Sequence, residues 1–245
     1  VVVTPPAVIT SCLRPFQQTI STNGLCIGCA AVLGTEGNSV DNDFDTATTL
    51  RNVVGVGAYI QQKLDFTNSG FAGDIIEIEL GLPTGVLDIG ALSYITLESY
   101  NGGTNNGDGG SINSLLNVQL LGGNRFRASF VAGGAFSGVQ IRLGGVASVL
   151  SELDIYGASF KYKAATITGI SPAICSGQSA TLTATTTSGD TINWYADASG
   201  GTALATNTNT YNTGALTAAT TYYIEAVRGI CVNSVRQPVT VPVLQ

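Results

Sequence analysis

Histidine and methionine are absent from the 245 residues, charged residues make up only 11%, and there is a single tryptophan. The lack of histidine excludes Ser-His-Asp and Cys-His catalysis and any imidazole-ligated metal. Ten basic residues stand against sixteen acidic ones and form no cluster. Nothing is therefore present to neutralise phosphates, and no nucleic acid partner is expected. No run of eighteen apolar residues occurs, so no membrane insertion is expected either. The chain shows no initiating Met and no charged n-region followed by an apolar h-region, and we read it as a processed chain or an excised segment. Its two ends support a slice of a tandem array, since "VVVTPPAVIT" and "RQPVTVPVLQ" are comparable strand exits.

What is present is short alternation. With 44% apolar residues, a chain of this length can bury a core in one large domain or two ordinary ones, and we expect two. "AYIQQKLDF" (58–66), "DIIEIEL" (74–80), "SYITLESY" (93–100), "SLLNVQLL" (114–121), "RFRASFV" (125–131), "GVQIRL" (138–143) and "ELDIYGASFKY" (152–162) each alternate apolar with polar residues. Gly-, Asn- and Asp-rich punctuation separates them, so an antiparallel sandwich is predicted, with a helical turn only around 84–92. "NGGTNNGDGG" (101–110) is expected to be a mobile connection; no helix start with a lysine follows that would make it a phosphate cradle.

After "KYKAATITG" the texture shifts to Thr and Ala, placing the domain boundary between 162 and 170 and the modules at 1–165 and 166–245. The second module reads as five or more strands: "SATLTATTT", "TINWYADA", "TALATNTNTYN", "TTYYIEAVR" and "VRQPVTVPV". A small sandwich needs one large inward aromatic, and Trp194 is the candidate. The fold class is all-β, with two β-sandwich modules.

Five cysteines are too few to hold a miniprotein. Cys175 precedes one strand and Cys231 follows another, and a bridge pinning these edges is expected. Cys26 and Cys29 form a C-x-x-C, which has redox, zinc half-site and local-disulfide readings. The Gly-rich context offers no βαβ unit, and zinc would have only Cys12 as a further nearby ligand, so a Cys26–Cys29 disulfide is favoured. Cys12 is then left over, either free or the alternative partner.

An enzyme built on carboxylates would need a matched pair. Glu77 and Glu79 share a strand face at period two, which fits a solvated face better than a catalytic pair, and Glu98 and Glu152 lie in other strands. Tyr59, Tyr94, Tyr100 and Tyr156 are expected in the core or on sheet faces rather than as sugar-stacking platforms. No catalysis is expected.

"ICSGQSATLTA…INWYADASGGTALATNTNTYNTGALTAATTYYIEAVRGICVNSVRQPVTV" resembles the immunoglobulin-like modules of large secreted adhesins and gliding-motility proteins of Bacteroidetes, exported by the type IX pathway. The resemblance spans nearly all of 170–243 and lies in the order "CSGQ", "WY", "GG", "TYYIEA" and a final "C". The first module resembles the usual companion of such repeats. "SVDNDFDTATTL" (39–50) is similar to a segment of discoidin-like, carbohydrate-binding jelly rolls, which close on strands like "ELDIYG". The chain departs from them with Asn42 in place of Gly and with no Trp soon after the Thr run.

In those jelly rolls the loop often holds a structural calcium ion, so the resemblance implies Asp41, Asp43 and Asp45 as metal ligands. Clustered carboxylates suit a hard cation. The competing reading is an Asx turn that caps its own amides. An EF-hand is excluded, because its sixth position would be Thr46 and its twelfth Asn52.

The implied function is a non-catalytic segment of a secreted, cell-surface adhesin, acting in attachment or gliding motility as stalk or binding module. Its partners would be a surface or polysaccharide ligand and neighbouring repeats of the same chain. The alternative is a carbohydrate-binding module of a secreted polysaccharide-processing protein.

Overall fold

The computed structural model describes residues 14–24, 26–52, 54–55, 57–83, 89–112, 117–144, 152–169, 173–187, 189–229, 231–232 and 236–244. The chain divides into two compact units, Val1–Lys161 and Tyr162–Gln245. The division falls just before Tyr162, whose ring lies 4.2 Å beneath the Arg228 guanidinium of the second unit.

The first unit is a jelly-roll-like sandwich of two antiparallel sheets. One runs in the order Pro15–Asn23, Tyr59–Gly70, Phe136–Gly144, Ile95–Asn101, Gly110–Ser111, with Thr104–Asn105 as a short extra partner of Ile95–Asn101. The other runs Asn117–Gly122, Arg125–Val131, Ile75–Gly81, Glu152–Lys161, Thr48–Arg51, Ala30–Ala31. Alternation decides which side chains meet between them. Ile60, Leu64 and Phe66 point inward from one sheet, and Ile76, Ile78, Leu80, Phe126 and Phe160 from the other. Phe66, Phe136 and Phe160 pack edge to face, with centroids 4.9 to 5.9 Å apart, the arrangement the ring quadrupoles prefer. A helical turn occupies Ile89–Leu92, within the predicted window.

Two local readings change. Pro15–Asn23 is a strand that alternation did not announce, because it is an edge strand whose residues are mostly exposed, Phe16 among them. Residues 101–110 are pinned rather than loose. The Asp108 carboxylate accepts from Ser99 N at 3.0 Å, Ser99 Oγ at 2.6 Å and Gly133 N at 2.9 Å, while Glu98 accepts from Asn105 Nδ2 and Gly107 N. Gly109 closes the turn where a Cβ would lie 1.7 Å from Leu97 O, so only glycine fits.

The second unit is an immunoglobulin-like sandwich. A three-stranded sheet, Thr166–Gly169, Gln178–Thr185 and Thr210–Leu216, faces one in which Thr220–Arg228 pairs with Thr191–Tyr195, Cys231–Val232 and Gln237–Val241. Its core is Ile174, Leu182, Ile192, Trp194, Leu216, Tyr222, Ile224, Val239 and Val241 with four alanines. Trp194 is fully buried, stacks on Tyr211 at 5.6 Å and donates its indole N–H to Thr208 O at 2.9 Å. The buried polar end is thereby satisfied.

Cys175 carries an exposed free thiol, so the bridge to Cys231 expected from the sequence is not formed. Cys175 pairs in parallel with Leu244, whereas Cys231 sits opposite Arg228 in a different sheet. That edge is fastened by backbone bonds, Ile174 N to Pro242 O and Ser176 N to Leu244 O, both 3.1 Å. Cys29 is disulfide-bonded. Its partner side chain lies outside the described residues, so the Cys26–Cys29 pairing stays an expectation.

Candidate functional site

The acidic loop begins with a 3-10 turn at Asn38–Val40 and ends where the Thr48–Arg51 strand starts. Thr48 and Ser39 fasten its base. The Thr48 hydroxyl donates to Thr35 O at 2.8 Å and accepts from Ser39 N at 3.1 Å, and Ser39 Oγ accepts from Gln62 Nε2 at 2.9 Å. All three side chains are buried between the sheets. Gln62 stands at an inward position of its strand, between Ile60 and Leu64, and that polar residue in an apolar phase was a readable signal of a buried network.

Above this base, Asp41, Asp43 and Asp45 are solvent-exposed. Asp43 N donates to Asp41 Oδ1 at 2.7 Å, and Asp45 N donates to Asp43 Oδ1 at 2.9 Å: two successive Asx turns. Thr46 Oγ1 donates to Asp41 Oδ2 at 2.7 Å. Asn42 lies between them in the left-handed region at φ 66°, a conformation that Asn tolerates, so the Gly of the discoidin-like pattern is not needed. Among the described residues no three acidic or cysteine side chains are gathered so as to hold a metal ion. Asp41 and Asp43 each turn one carboxylate oxygen to a loop amide, whereas the Asp45 carboxylate faces the Arg125 guanidinium.

Two guanidinium groups reach this loop from distant strands. Arg14 Nη1 donates to Asn42 O at 2.7 Å, and its guanidinium lies 4.5 Å from the centre of the Phe44 ring. Burial lowers the Arg14 pKa, against an opposing pull from Glu79. Arg125 Nη2 donates to Phe44 O, Arg125 Nη1 lies 3.7 Å from Asp45 Oδ1, and the group covers Tyr156 at 3.8 Å. Neither arginine was singled out from the sequence. They stand 28 and 81 residues from the carbonyls they hold, and such contacts leave no local pattern.

The Arg125 sheet face is also where Glu77 and Glu79 sit. Glu79 is paired with Arg125 and Arg127, and Glu77 with Lys161 at 2.7 Å. Both carboxylates are committed to cations instead of forming an acid-base pair. Beside them Glu77, Asn117, Val118, Gln119, Arg127 and Ser129 line an open groove of about 280 Å³. Of the four tyrosines named from the sequence, Tyr59 lies under Arg142, Tyr156 lies under Arg125, Tyr100 is buried under Lys63, and Tyr94 is half-buried. Tyr100 donates to Asp65 Oδ1 at 2.7 Å; burial first, then Asp65, raises its pKa.

Residues 163–244 match the family described as Ig-like domain, CHU_C associated. The second unit is similar to that family. The match covers about a third of the chain. No curated protein matches it.

Among solved structures the chain is similar to a β-1,2-glucanase from Parabacteroides distasonis, at 11% identity and a TM-score of 0.43, over 97% of this chain. This chain spans only 38% of that enzyme. It is similar also to a fucose binding module from Streptococcus pneumoniae, at 12% identity and a TM-score of 0.40, covering 62% of this chain and 94% of that one. A low affinity xylan binding module from Roseburia intestinalis shows 14% identity and a TM-score of 0.34, over 59% of this chain and 95% of that one. Likeness of this degree says nothing about a ligand.

Proposed function

We propose that the chain is a non-catalytic segment of a large secreted bacterial surface adhesin, contributing to surface attachment or gliding motility as stalk or binding module. The observation that carries this reading is the pairing of Glu77 with Lys161 and of Glu79 with Arg125 and Arg127. In a chain without histidine, Glu77 and Glu79 are the two carboxylates that share a strand face, and they hold that face together. The match of 163–244 to an immunoglobulin-like family supports a modular surface protein. The oxidised Cys29 supports an exported location.

A second reading, a carbohydrate-binding module, is favoured by the groove of Asn117, Gln119, Ser129, Arg127 and Glu77, whose amides, hydroxyl and charges can exchange hydrogen bonds with sugar hydroxyls. One experiment separates the two. The full chain and its Asn117→Ala/Gln119→Ala variant are titrated calorimetrically against a panel of soluble polysaccharides. Binding that the variant loses supports the second reading. No heat from any glycan, together with loss of cell attachment when the segment is deleted from its parent, supports the first.

A further inference from the structure

We infer that the acidic loop of the first sandwich works without a metal ion, because the guanidinium groups of Arg14 and Arg125 hold the oxygens that a structural cation would need. A calcium ion requires six to eight oxygens converging at about 2.3 to 2.6 Å. Here five of the loop oxygens already have donors. The Asn42 carbonyl accepts from Arg14 and the Phe44 carbonyl from Arg125, while Asp41 and Asp43 accept from the loop's own amides and from Thr46.

Charge argues the same way. The guanidinium of Arg125 lies within 3.7 Å of Asp45, so a divalent cation on these carboxylates would meet a fixed like charge at close range. The two arginines come from opposite sheets. Arg14 precedes Pro15–Asn23 and Arg125 opens Arg125–Val131, so the pair ties the loop to both layers of the sandwich. Each is fixed in turn by an aromatic face, Phe44 for Arg14 and Tyr156 for Arg125. Planar, multiply donating guanidinium groups suit carbonyl-rich loops in a way that a lysine ammonium does not. This inference stands apart from the adhesin reading and concerns only what stabilises the loop.

The test uses the full chain. Thermal melts are recorded in chelator, in buffer and in millimolar calcium chloride, alongside calorimetric titration with calcium chloride alone. The melting temperature of the first unit should be the same in all three, with no binding heat. Arg14→Met and Arg125→Met, made separately, should each lower it by roughly 3 to 10 °C, the loss of charge-assisted hydrogen bonds in a unit of this size. Arg125→Lys should recover only part of the loss. Calcium that raises the melting temperature, chelator that lowers it, or arginine variants that melt like the parent would each overturn the inference. Arg14→Met keeps the test open if Arg125→Met fails to fold, because Arg125 also bridges Glu79 at 3.2 Å whereas Glu79 acts on Arg14 only through its field.

Discussion

Thr48 shows how one hydroxyl organises the base of the acidic loop, donating to the Thr35 carbonyl and accepting the Ser39 amide where no water reaches. Thr48→Val keeps the shape and removes both partners, leaving buried groups unsatisfied. We expect a loss of about 1 to 3 kcal/mol in chemical denaturation. Tyr100 gives a pH signature. Its phenol is held above its ordinary range in the fold, and burial pushes Tyr156 and Tyr222 the same way. The unfolded chain therefore ionises first as pH rises, so stability is intact below about pH 10 and falls above it. Melting temperatures followed from roughly pH 8 to 11 should show this decline, and Tyr100→Phe should make it shallower. At this scale the sequence was partly readable. The Asx capping of Asp41 and Asp43 was open from residue type only as the reading that competes with calcium, and Gln62 was out of phase in its own strand. Arg14 and Arg125 were invisible, because a cation bound to a remote carbonyl depends on tertiary placement alone.

Elements were more legible than residues where alternation ran through a buried face. Arg125–Val131 and Thr220–Arg228 begin and end where the pattern does, since every second side chain is sealed inside. Pro15–Asn23 escaped because an edge strand outside the core needs no alternation. The glycine-rich segment 101–110 was misjudged for a different reason. Glycine signals freedom in an unfolded chain, but here Gly109 permits contact with Leu97 and Asp108 fixes the loop on three donors. Limited proteolysis should therefore spare 101–110 in the native chain. Asp108→Ala removes all three acceptor contacts and should open that segment to cleavage, seen as fragments cut within it by mass spectrometry. Cleavage of the parent there at the same rate would show the loop to be loose after all.

For the whole molecule, two separate cores imply two separable stabilities. The core of the second unit consists wholly of its own residues, from Ala165 to Val241, with Trp194 at its centre. Replacing Trp194 by Ala should cost about 3 to 5 kcal/mol. A module of this size holds only about 4 to 13 kcal/mol in total. Scanning calorimetry of Trp194→Ala should therefore show the second unit's transition displaced far downward or lost, with that of the first unit retained. The immunoglobulin-like texture was legible because composition changes after the first module, and the sequence sets the cut at 165/166 where the units divide at Lys161/Tyr162; the fastening of Cys175 was not legible. A terminal strand can dock in parallel beside it and leave the thiol free. Trp194 has one more consequence. It is the only indole in the chain and lies sealed from water, so its fluorescence is a built-in optical label for one half of the molecule. Blue-shifted emission that reddens on exposure reports the immunoglobulin-like unit alone, and the jelly-roll-like unit stays dark in that channel.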